Sequence, residues 1–185
     1  MTLGSDFETT LQAARVGAEW AWTQIYRDLS PSVLRYLRAQ GAREPEDLLG
    51  EVFLHVVRSL PTFDGPEPSF RAWVFKSARN CLIDSWRRDG RRPVEYAPVE
   101  SLTGVAEADS AEAEAMRRLT YERVQATLGR LSRRQQDVIF LRVVACLSIE
   151  EVAATLGKSC GAVKSLQARG LAALQREILR EAVSK

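Results

Sequence analysis

The stretch Phe70–Arg88, FRAWVFKSARNCLIDSWRR, constrains the fold more than any other part of the chain. Its apolar residues recur every three or four positions, which predicts one long helix with this inward face: Phe70, Val74, Phe75, Ala78, Cys81, Leu82 and Trp86. A separate face, here called the aromatic-basic stripe, holds Trp73, Lys76, Asn80, Asp84 and Arg87. Stacking, phosphate neutralisation and base-edge hydrogen bonds are what a single nucleic-acid strand needs, so the stripe favours strand binding. The alternative is a core helix whose Trp73 only borders the core.

Charge is distributed unevenly along the chain. The formal net charge of +2 over 185 residues is too small to indicate nucleic-acid binding by itself. However, seven basic and two acidic residues lie between Arg71 and Arg92, whereas six acidic and no basic residues lie between Glu95 and Glu114. The near-neutral total therefore hides a basic block followed by an acidic block.

The remaining composition excludes several classes of function. Three cysteines without a CxxC pair and a single histidine, His55, predict no zinc site and no other metal or cofactor. The same scarcity of acid–base groups predicts that the chain is not an enzyme. Unpaired thiols, an acidic N-terminus and the lack of a long apolar run predict a cytoplasmic protein with no membrane association.

The N-terminal part is predicted to be helical. Apolar spacing from Ser5 to Gln40 predicts helices on either side of Pro31, which can start a helix but is not expected inside one. The apolar residues of this part include Trp20, Ile25, Leu29, Val33, Tyr36 and Leu37. Arg43–Leu60 is the next predicted helix, with this apolar face: Leu48, Leu49, Val52, Phe53, Val56, Val57 and Leu60. The three prolines and one glycine of Pro61–Ser69 predict a non-helical loop that leads into Phe70.

The C-terminal part carries clear helix-start signals. Residues 89–110 read as an acidic linker, and helix is expected again near Ala111. Ser132 with Gln135, and Ser148 with Glu151, are capping boxes that predict helices Arg133–Cys146 and Ile149–Leu156. Gly157 ends the second, and Ser159 can cap a third, Cys160–Arg180. The last two helices predict a helix-turn-helix whose outer face mixes small and basic residues, as major-groove entry requires. The alternative is an ordinary helical hairpin.

Three segments of the sequence resemble a known family, the extracytoplasmic-function (ECF) group of bacterial sigma factors in the sigma-70 family. They are EDLLGEVF from Glu46, FRAW through ARN to DSWRR within Phe70–Arg88, and LSRRQQDVIFLRVVACLSIEEVAATLGKSCGAVKSL from Leu131. Each motif alone is weak, but three in order around an acidic linker are specific.

The resemblance implies an all-α protein with two small helical domains: residues 1–88 as sigma region two, 89–110 as linker and 111–185 as region four. It implies a subunit that binds core RNA polymerase at the beta-prime clamp and beta flap, recognises promoter DNA, melts the minus-ten element and is held by an anti-sigma factor. The residues implied for core-polymerase binding are Asp47, Leu48, Glu51 and Phe53. Those implied for minus-ten DNA are Phe63, Trp73, Lys76, Arg79, Asn80, Arg87 and Arg88. Those implied for minus-thirty-five DNA are Lys158, Ser159, Lys164, Ser165, Ala168 and Arg169.

The sequence departs from the family pattern at two points. Gly50 stands where the family usually has glutamine, which weakens the inference of polymerase contacts there. Leu166-Gln167 replaces a more usual Arg-Leu pair, so base contacts cannot be copied from better-known members.

An alternative function also stays open: a helix-turn-helix regulator that binds duplex operators without polymerase. That alternative leaves Trp73, Lys76 and Asn80 unexplained.

Overall fold

The computed structural model describes residues 6–88, 90 and 128–183. These residues form helices and connecting turns, with no strand in the described ranges, which confirms the predicted all-α class. The α-helices are α1 (Phe7–Arg15), α2 (Glu19–Ala39), α3 (Pro45–Ser59), α4 (Glu67–Arg88), α5 (Arg133–Ile139), α6 (Ile149–Leu156) and α7 (Cys160–Val183). The predicted linker and the helix expected near Ala111 lie outside the described residues, and the domain boundaries stay a prediction.

Two predictions about proline were wrong. Pro31 lies inside α2, which runs unbroken from Glu19 to Ala39. Its neighbours Leu29 and Val33 are fully buried, so tertiary packing outweighs the local cost of the proline. The second error concerns Pro61–Ser69, where Leu60–Thr62 forms a 3₁₀ turn and α4 already begins at Glu67. Pro68 fits there because the first helical turn needs no backbone N–H donor from it.

Helices α1–α4, here called the N-terminal module, surround a core of aliphatic and aromatic side chains. The face predicted for α4 is confirmed at its buried positions, and Phe70 and Phe75 are among the most deeply buried large side chains. Tyr36 of α2 meets Phe75 edge-on, with ring centroids 5.8 Å apart. Two residues expected in apolar faces are instead exposed: Trp20 at 54% and Val57 at 45%.

Helices α5–α7, here called the C-terminal module, confirm the predicted caps. Ser148 N–H donates to Glu151 Oε2 at 2.6 Å, and Glu151 N–H donates to Ser148 Oγ at 3.1 Å. Ser132 N–H likewise donates to Gln135 Oε1 at 2.9 Å. The helix expected to reach Cys146 changes to a π-helical turn over Phe140–Val144 and ends there, and Cys146 adopts a left-handed φ of 55°.

Helix α6 ends as predicted at Gly157, whose φ of 61° suits a residue without Cβ. The turn leads directly into α7, whose Ser159 hydroxyl accepts the Ala162 N–H at 3.2 Å. Gly170 faces inward, and a Cβ there would lie 3.2 Å from Ile139. The two modules pack against each other, mainly through α4 and α6, and their buried apolar residues form one continuous cluster.

Candidate nucleic-acid and polymerase surfaces

The aromatic-basic stripe lies on the surface of α4. Lys76 and Asn80 are exposed, while Trp73 is half-buried. The ring of Trp73 packs with Phe63 and Phe70, at centroid distances of 5.1 and 5.7 Å. Trp73 therefore has one part in the core and one part at the surface, which fits both interpretations of this residue.

Phe63 is placed at the start of α4 by the preceding turn. Its ring lies 5.3 Å from that of Phe70, and its carbonyl accepts a hydrogen bond from the Arg15 guanidinium of α1. The loop is thus tied to two helices. Because its conformation is fixed, Phe63, Trp73 and the exposed Lys76 and Asn80 form a surface that combines aromatic rings with polar groups.

The three arginines predicted to contact minus-ten DNA are all engaged by carboxylates. Arg87 Nη1 lies 3.2 Å from Asp84 Oδ1, and Arg88 Nη2 lies 3.1 Å from Glu51 Oε2; both pairs are exposed. Arg79 Nη2 lies 3.0 Å from Asp137 Oδ2, a residue of the C-terminal module. DNA would have to replace these carboxylates, which costs little for exposed pairs.

Helix α3 separates the predicted polymerase contacts into two groups. Asp47 and Glu51 are exposed, whereas Leu48 and Phe53 are buried and hold the helix against the core. Phe53 packs on Tyr26 at 4.7 Å between ring centroids. The exposed side instead gains Leu54, which is 57% exposed, and Val57. The sequence signal for Leu54 was its position seven residues after Asp47, on the same side of the helix.

In the C-terminal module, α6 and α7 form the predicted helix-turn-helix. The residues implied for minus-thirty-five DNA lie at or near the surface: Lys158 half-buried, and Ser159, Lys164, Ser165, Ala168 and Arg169 exposed. Arg169 Nε donates to the Ser165 carbonyl at 3.2 Å, which holds its aliphatic part along the helix. Val163 is fully buried and anchors the opposite side of α7. Leu166 and Gln167, the two departures from the family pattern, are half-buried.

The contacts between α4 and the C-terminal module were not predicted. Arg71 Nε donates to Glu151 Oε1 at 3.1 Å. The Thr155 hydroxyl, which donates to the Glu151 carbonyl at 2.8 Å, lies 3.2 Å from the Ala72 carbonyl. Arg133 stacks on the Trp86 ring, with its guanidinium carbon 4.7 Å from the centroid. These contacts bury Ala72, which sequence periodicity did not assign to the core.

The electrostatics of this junction follow from burial and from Asp137. Desolvation raises the pKa of the Tyr36 hydroxyl far above its usual range, and the nearby Asp137 carboxylate raises this pKa further. Burial similarly raises the pKa of the Cys81 thiol, with Glu51 and Asp84 adding to the shift.

Within the described ranges, no group of His, Cys, Asp and Glu is arranged to hold a metal ion. None of the described helices is long and apolar enough to cross a bilayer.

Two family models match this chain: Sigma-70 region 2 over residues 25–92, and Sigma-70, region 4 over residues 121–174. Since they cover more than half of it, the chain belongs to the sigma-70 family.

Curated relatives define the group within this family. This chain is 30% identical over 183 residues to the ECF RNA polymerase sigma factor SigD of Mycobacterium tuberculosis, and the match covers 95% of this chain and 85% of SigD. It is 32% identical over 168 residues to the ECF sigma factor BldN of Streptomyces coelicolor, covering 90% of this chain but 63% of BldN. The chain is therefore an ECF sigma factor by family, and it spans less than two thirds of the length of BldN.

The fold is also similar to solved sigma-factor structures. CnrH, solved in complex with the cytosolic domain of CnrY, aligns over 94% of this chain and 96% of its own, with a TM-score of 0.69 and 26% identity. RpoE from Bartonella quintana, solved with the anti-sigma factor NepR, aligns over 94% of this chain with a TM-score of 0.56 and 21% identity, which shows the shared fold alone.

Proposed function

We propose that this chain is an alternative sigma subunit, which binds core RNA polymerase, directs it to specific promoters and helps to melt the minus-ten element. The observation that carries the proposal is the presence in one chain of two exposed surfaces with different chemistry. The α4 surface combines aromatic rings with an exposed amide and lysine, and the α7 surface combines small and basic residues on an exposed helix. The first suits an opened strand and the second suits the major groove of a duplex.

The α4 surface would stabilise the open minus-ten strand. Separating base pairs costs about 1.4 kcal/mol per stacked step, and stacking one base on an aromatic ring returns about 1–3 kcal/mol. With two captured bases the gain and the cost nearly cancel, so base-specific contacts decide whether the strand stays open. Asn80 is the exposed group best suited to read a base edge, because an amide both donates and accepts hydrogen bonds.

The α7 surface would bind the minus-thirty-five duplex. Ser165 and Ala168 are small enough for close approach, and Lys164 and Arg169 supply positive charge beside them. Arg169 is our candidate for base reading, since it lies opposite the buried Val163 and an arginine can bond guanine at two atoms. Lys164 suits phosphate contact.

The exposed side of α3 would dock on the polymerase clamp. Asp47 and Glu51 supply negative charge, and Leu54 and Val57 supply apolar area that a solvated helix would not otherwise expose. Leu48 and Phe53 would act by holding this helix in place. We further propose an anti-sigma factor as a partner in the cytoplasm, since the similar CnrH was solved in complex with another protein, the cytosolic domain of CnrY.

The test is a mobility-shift and run-off transcription assay with the full chain, with and without core polymerase. The expected result is a promoter-specific shift and transcript only when both are present. Duplex binding by the chain alone to a symmetric operator, unchanged by polymerase, would instead establish an independent regulator.

A matched pair of variants tests the docking surface. Asp47→Arg with Glu51→Arg should abolish co-purification with core polymerase while the helical circular-dichroism spectrum is retained. Because Glu51 also pairs with Arg88, Arg88→Ala serves as the control, and it should bind polymerase normally. Normal stoichiometry with the double arginine variant would show that polymerase docks elsewhere.

A further inference from the structure

The Phe63 ring, which the proposed function places against the opened strand, is held in position from outside its own loop. The Phe63 N–H donates to the Leu60 carbonyl at 3.0 Å and closes the 3₁₀ turn that precedes it. The Phe63 carbonyl, on the other side of the residue, accepts a hydrogen bond from the Arg15 guanidinium, 48 positions earlier in the chain. The orientation of the ring therefore depends on α1 as well as on the loop.

The end of α1 that carries Arg15 is itself firmly placed. Phe7, in the first turn of α1, is buried and packs on Phe70 of α4, with ring centroids 5.6 Å apart. The Ala14 carbonyl accepts the Nε1–H of Trp22 in α2 at 3.1 Å. Because α1 is joined to both α2 and α4, Arg15 reaches the loop from a rigid support.

The surroundings of Arg15 are unusual for a residue in the last turn of a helix. A cation there ordinarily stays in solvent, where it interacts favourably with the helix dipole. Arg15 is instead half-buried, and its Nε is buried without a hydrogen-bond partner among the described residues. Burying an unmet donor costs free energy, so the benefit of this placement lies in what the guanidinium holds.

The ring of Phe63 is enclosed by three neighbours. Its centroid lies 5.3 Å from that of Phe70 and 5.1 Å from that of Trp73. On the loop side, Gly65 has a φ of +153°, and a Cβ there would lie 3.3 Å from Phe63 Cζ and 3.2 Å from Ser69 Cβ. A side chain at this position would press on the ring, so glycine leaves the room that the ring needs.

A fixed ring matters because strand opening is nearly balanced. A mobile loop has to be ordered when a base stacks on it, and the lost conformational entropy is subtracted from the stacking free energy. A loop that is already ordered avoids this loss, so more of the stacking free energy remains to hold the strand open. This gain needs no contact between Arg15 and DNA.

We propose that Arg15 is a positioning residue for minus-ten strand capture: its guanidinium holds the Phe63 carbonyl, so that the ring is in its stacking position before DNA arrives. This inference rests on the proposed function, and it extends that function to α1. Arg15 precedes residues 25–92, the range that matches Sigma-70 region 2, so the role lies outside the matched segment.

The experiment measures how tightly the holoenzyme binds a single-stranded minus-ten oligonucleotide, taken from a promoter that the wild-type holoenzyme transcribes. Arg15→Ala should weaken binding about tenfold, the effect of losing one hydrogen bond from a charged donor. Arg15→Lys should recover part of this loss, because an ammonium group still donates hydrogen bonds. Arg27→Ala is the matched control, since it removes the same charge from an exposed position on α2 and should leave binding unchanged. Wild-type affinity in Arg15→Ala would overturn the proposal.

A double-mutant cycle with Phe63→Ala distinguishes positioning from direct contact. Alanine keeps the backbone carbonyl that Arg15 bonds but removes the ring. If Arg15 acts through the ring, Arg15→Ala has almost no further effect on strand binding in the Phe63→Ala background. An equal loss that persists in this background, with a salt slope lower by about one, would show that Arg15 contacts a phosphate and would overturn the positioning role.

Thermal melts control for folding in every variant. If Arg15→Ala does not fold, Arg15→Met takes its place in both comparisons, because methionine fills a similar space without a hydrogen-bond donor. A wild-type holoenzyme that binds no single strand would reject the proposed function and this inference with it. Wild-type binding that is insensitive to the Arg15 variants rejects the role of Arg15 alone.

Gly65→Ala tests the same ring from its other side. The added Cβ should displace the ring and weaken strand binding several-fold. Gly157→Ala is the matched control, because it strains a left-handed glycine of the C-terminal module whose Cβ meets nothing within 4 Å, and strand binding should not change. Unchanged binding by Gly65→Ala would show that the position of the Phe63 ring does not matter, which contradicts the proposal.

Discussion

Two helices carry the proposed DNA contacts, and they are packed in opposite ways. Helix α4 is buried toward the core of its own module through Phe70 and Phe75, and again toward α6 through Ala72. Helix α7 buries Val163 and Gly170 on one side and leaves the other side exposed. The proposed duplex surface is thus accessible. The proposed strand-opening surface is exposed at Lys76 and Asn80, but its Arg79 is occupied by Asp137.

The difference suits the two tasks. A duplex element can be bound without changing the DNA, so its reader gains nothing from being masked. A helix that captures unpaired bases would bind any single strand if it were always exposed, because stacking on aromatic rings is tolerant of sequence. Asp137 occupies Arg79 while Lys76 and Asn80 stay exposed, so specificity at this element has to come from the base-edge contact proposed for Asn80.

The largest expected effect is on stability, and it tests whether α4 is more deeply packed than α7. Phe75→Ala, in the fully buried face of α4, should lower the free energy of unfolding by about 3–5 kcal/mol. Leu171→Ala, on the exposed part of α7, should change it by no more than ~0.5 kcal/mol. Urea denaturation followed by circular dichroism measures both. Similar losses would show that α7 is as deeply packed as α4.

The next largest effect concerns strand opening. Asn80→Ala should depress transcription from a fully paired promoter about five- to 150-fold, because losing a base-edge contact costs about 1–3 kcal/mol. A template with a pre-opened minus-ten bubble should be affected much less, since its melting cost has already been met. A thermal melt of the variant controls for folding. Equal impairment on both templates, with the fold intact, would show that Asn80 does not act in melting.

Sequence patterns predicted most of this architecture because local rules govern it. The capping boxes at Ser132 and Ser148 and the left-handed Gly157 involve residues a few positions apart, and the structure shows each of them. The buried face of α4 followed from its helical period in the same way. The errors at Pro31 and Pro68 arose because tertiary packing and the first-turn exception both permit proline in a helix.

The ion pairs between the two modules could not have been predicted from the sequence. Arg79 and Asp137 lie 58 positions apart, and Arg71 and Glu151 lie 80 apart. Each has a complete local explanation, Glu151 as a capping residue and Arg71 as part of a basic block. Nothing in periodicity or charge pattern selects one distant partner from many, so the pairing of a capping glutamate with an arginine of the other module becomes visible only in three dimensions.

A smaller effect distinguishes base reading by Arg169 from phosphate contact by Lys164, both on α7. Arg169→Ala should weaken binding of the matched minus-thirty-five duplex by about 1–3 kcal/mol and leave a scrambled duplex nearly unchanged. Lys164→Ala should weaken both duplexes equally and reduce the salt dependence by about one unit of slope. Titrations of holoenzyme at several salt concentrations measure these effects. Equal losses on the two duplexes for Arg169→Ala would assign it to phosphate contact.

The smallest effect compares two thiols, one on α4 and one in the C-terminal module. Burial raises the pKa of Cys81, and the carboxylates of Glu51 and Asp84 raise it further, so less thiolate is present at a given pH. Iodoacetamide should therefore modify Cys81 several-fold more slowly than the exposed Cys146, and the rate at Cys81 should still be rising at a pH above the usual thiol range. Mass spectrometry of tryptic peptides measures the two rates. Equal rates at Cys81 and Cys146 would show that burial on α4 does not slow the reaction of this thiol.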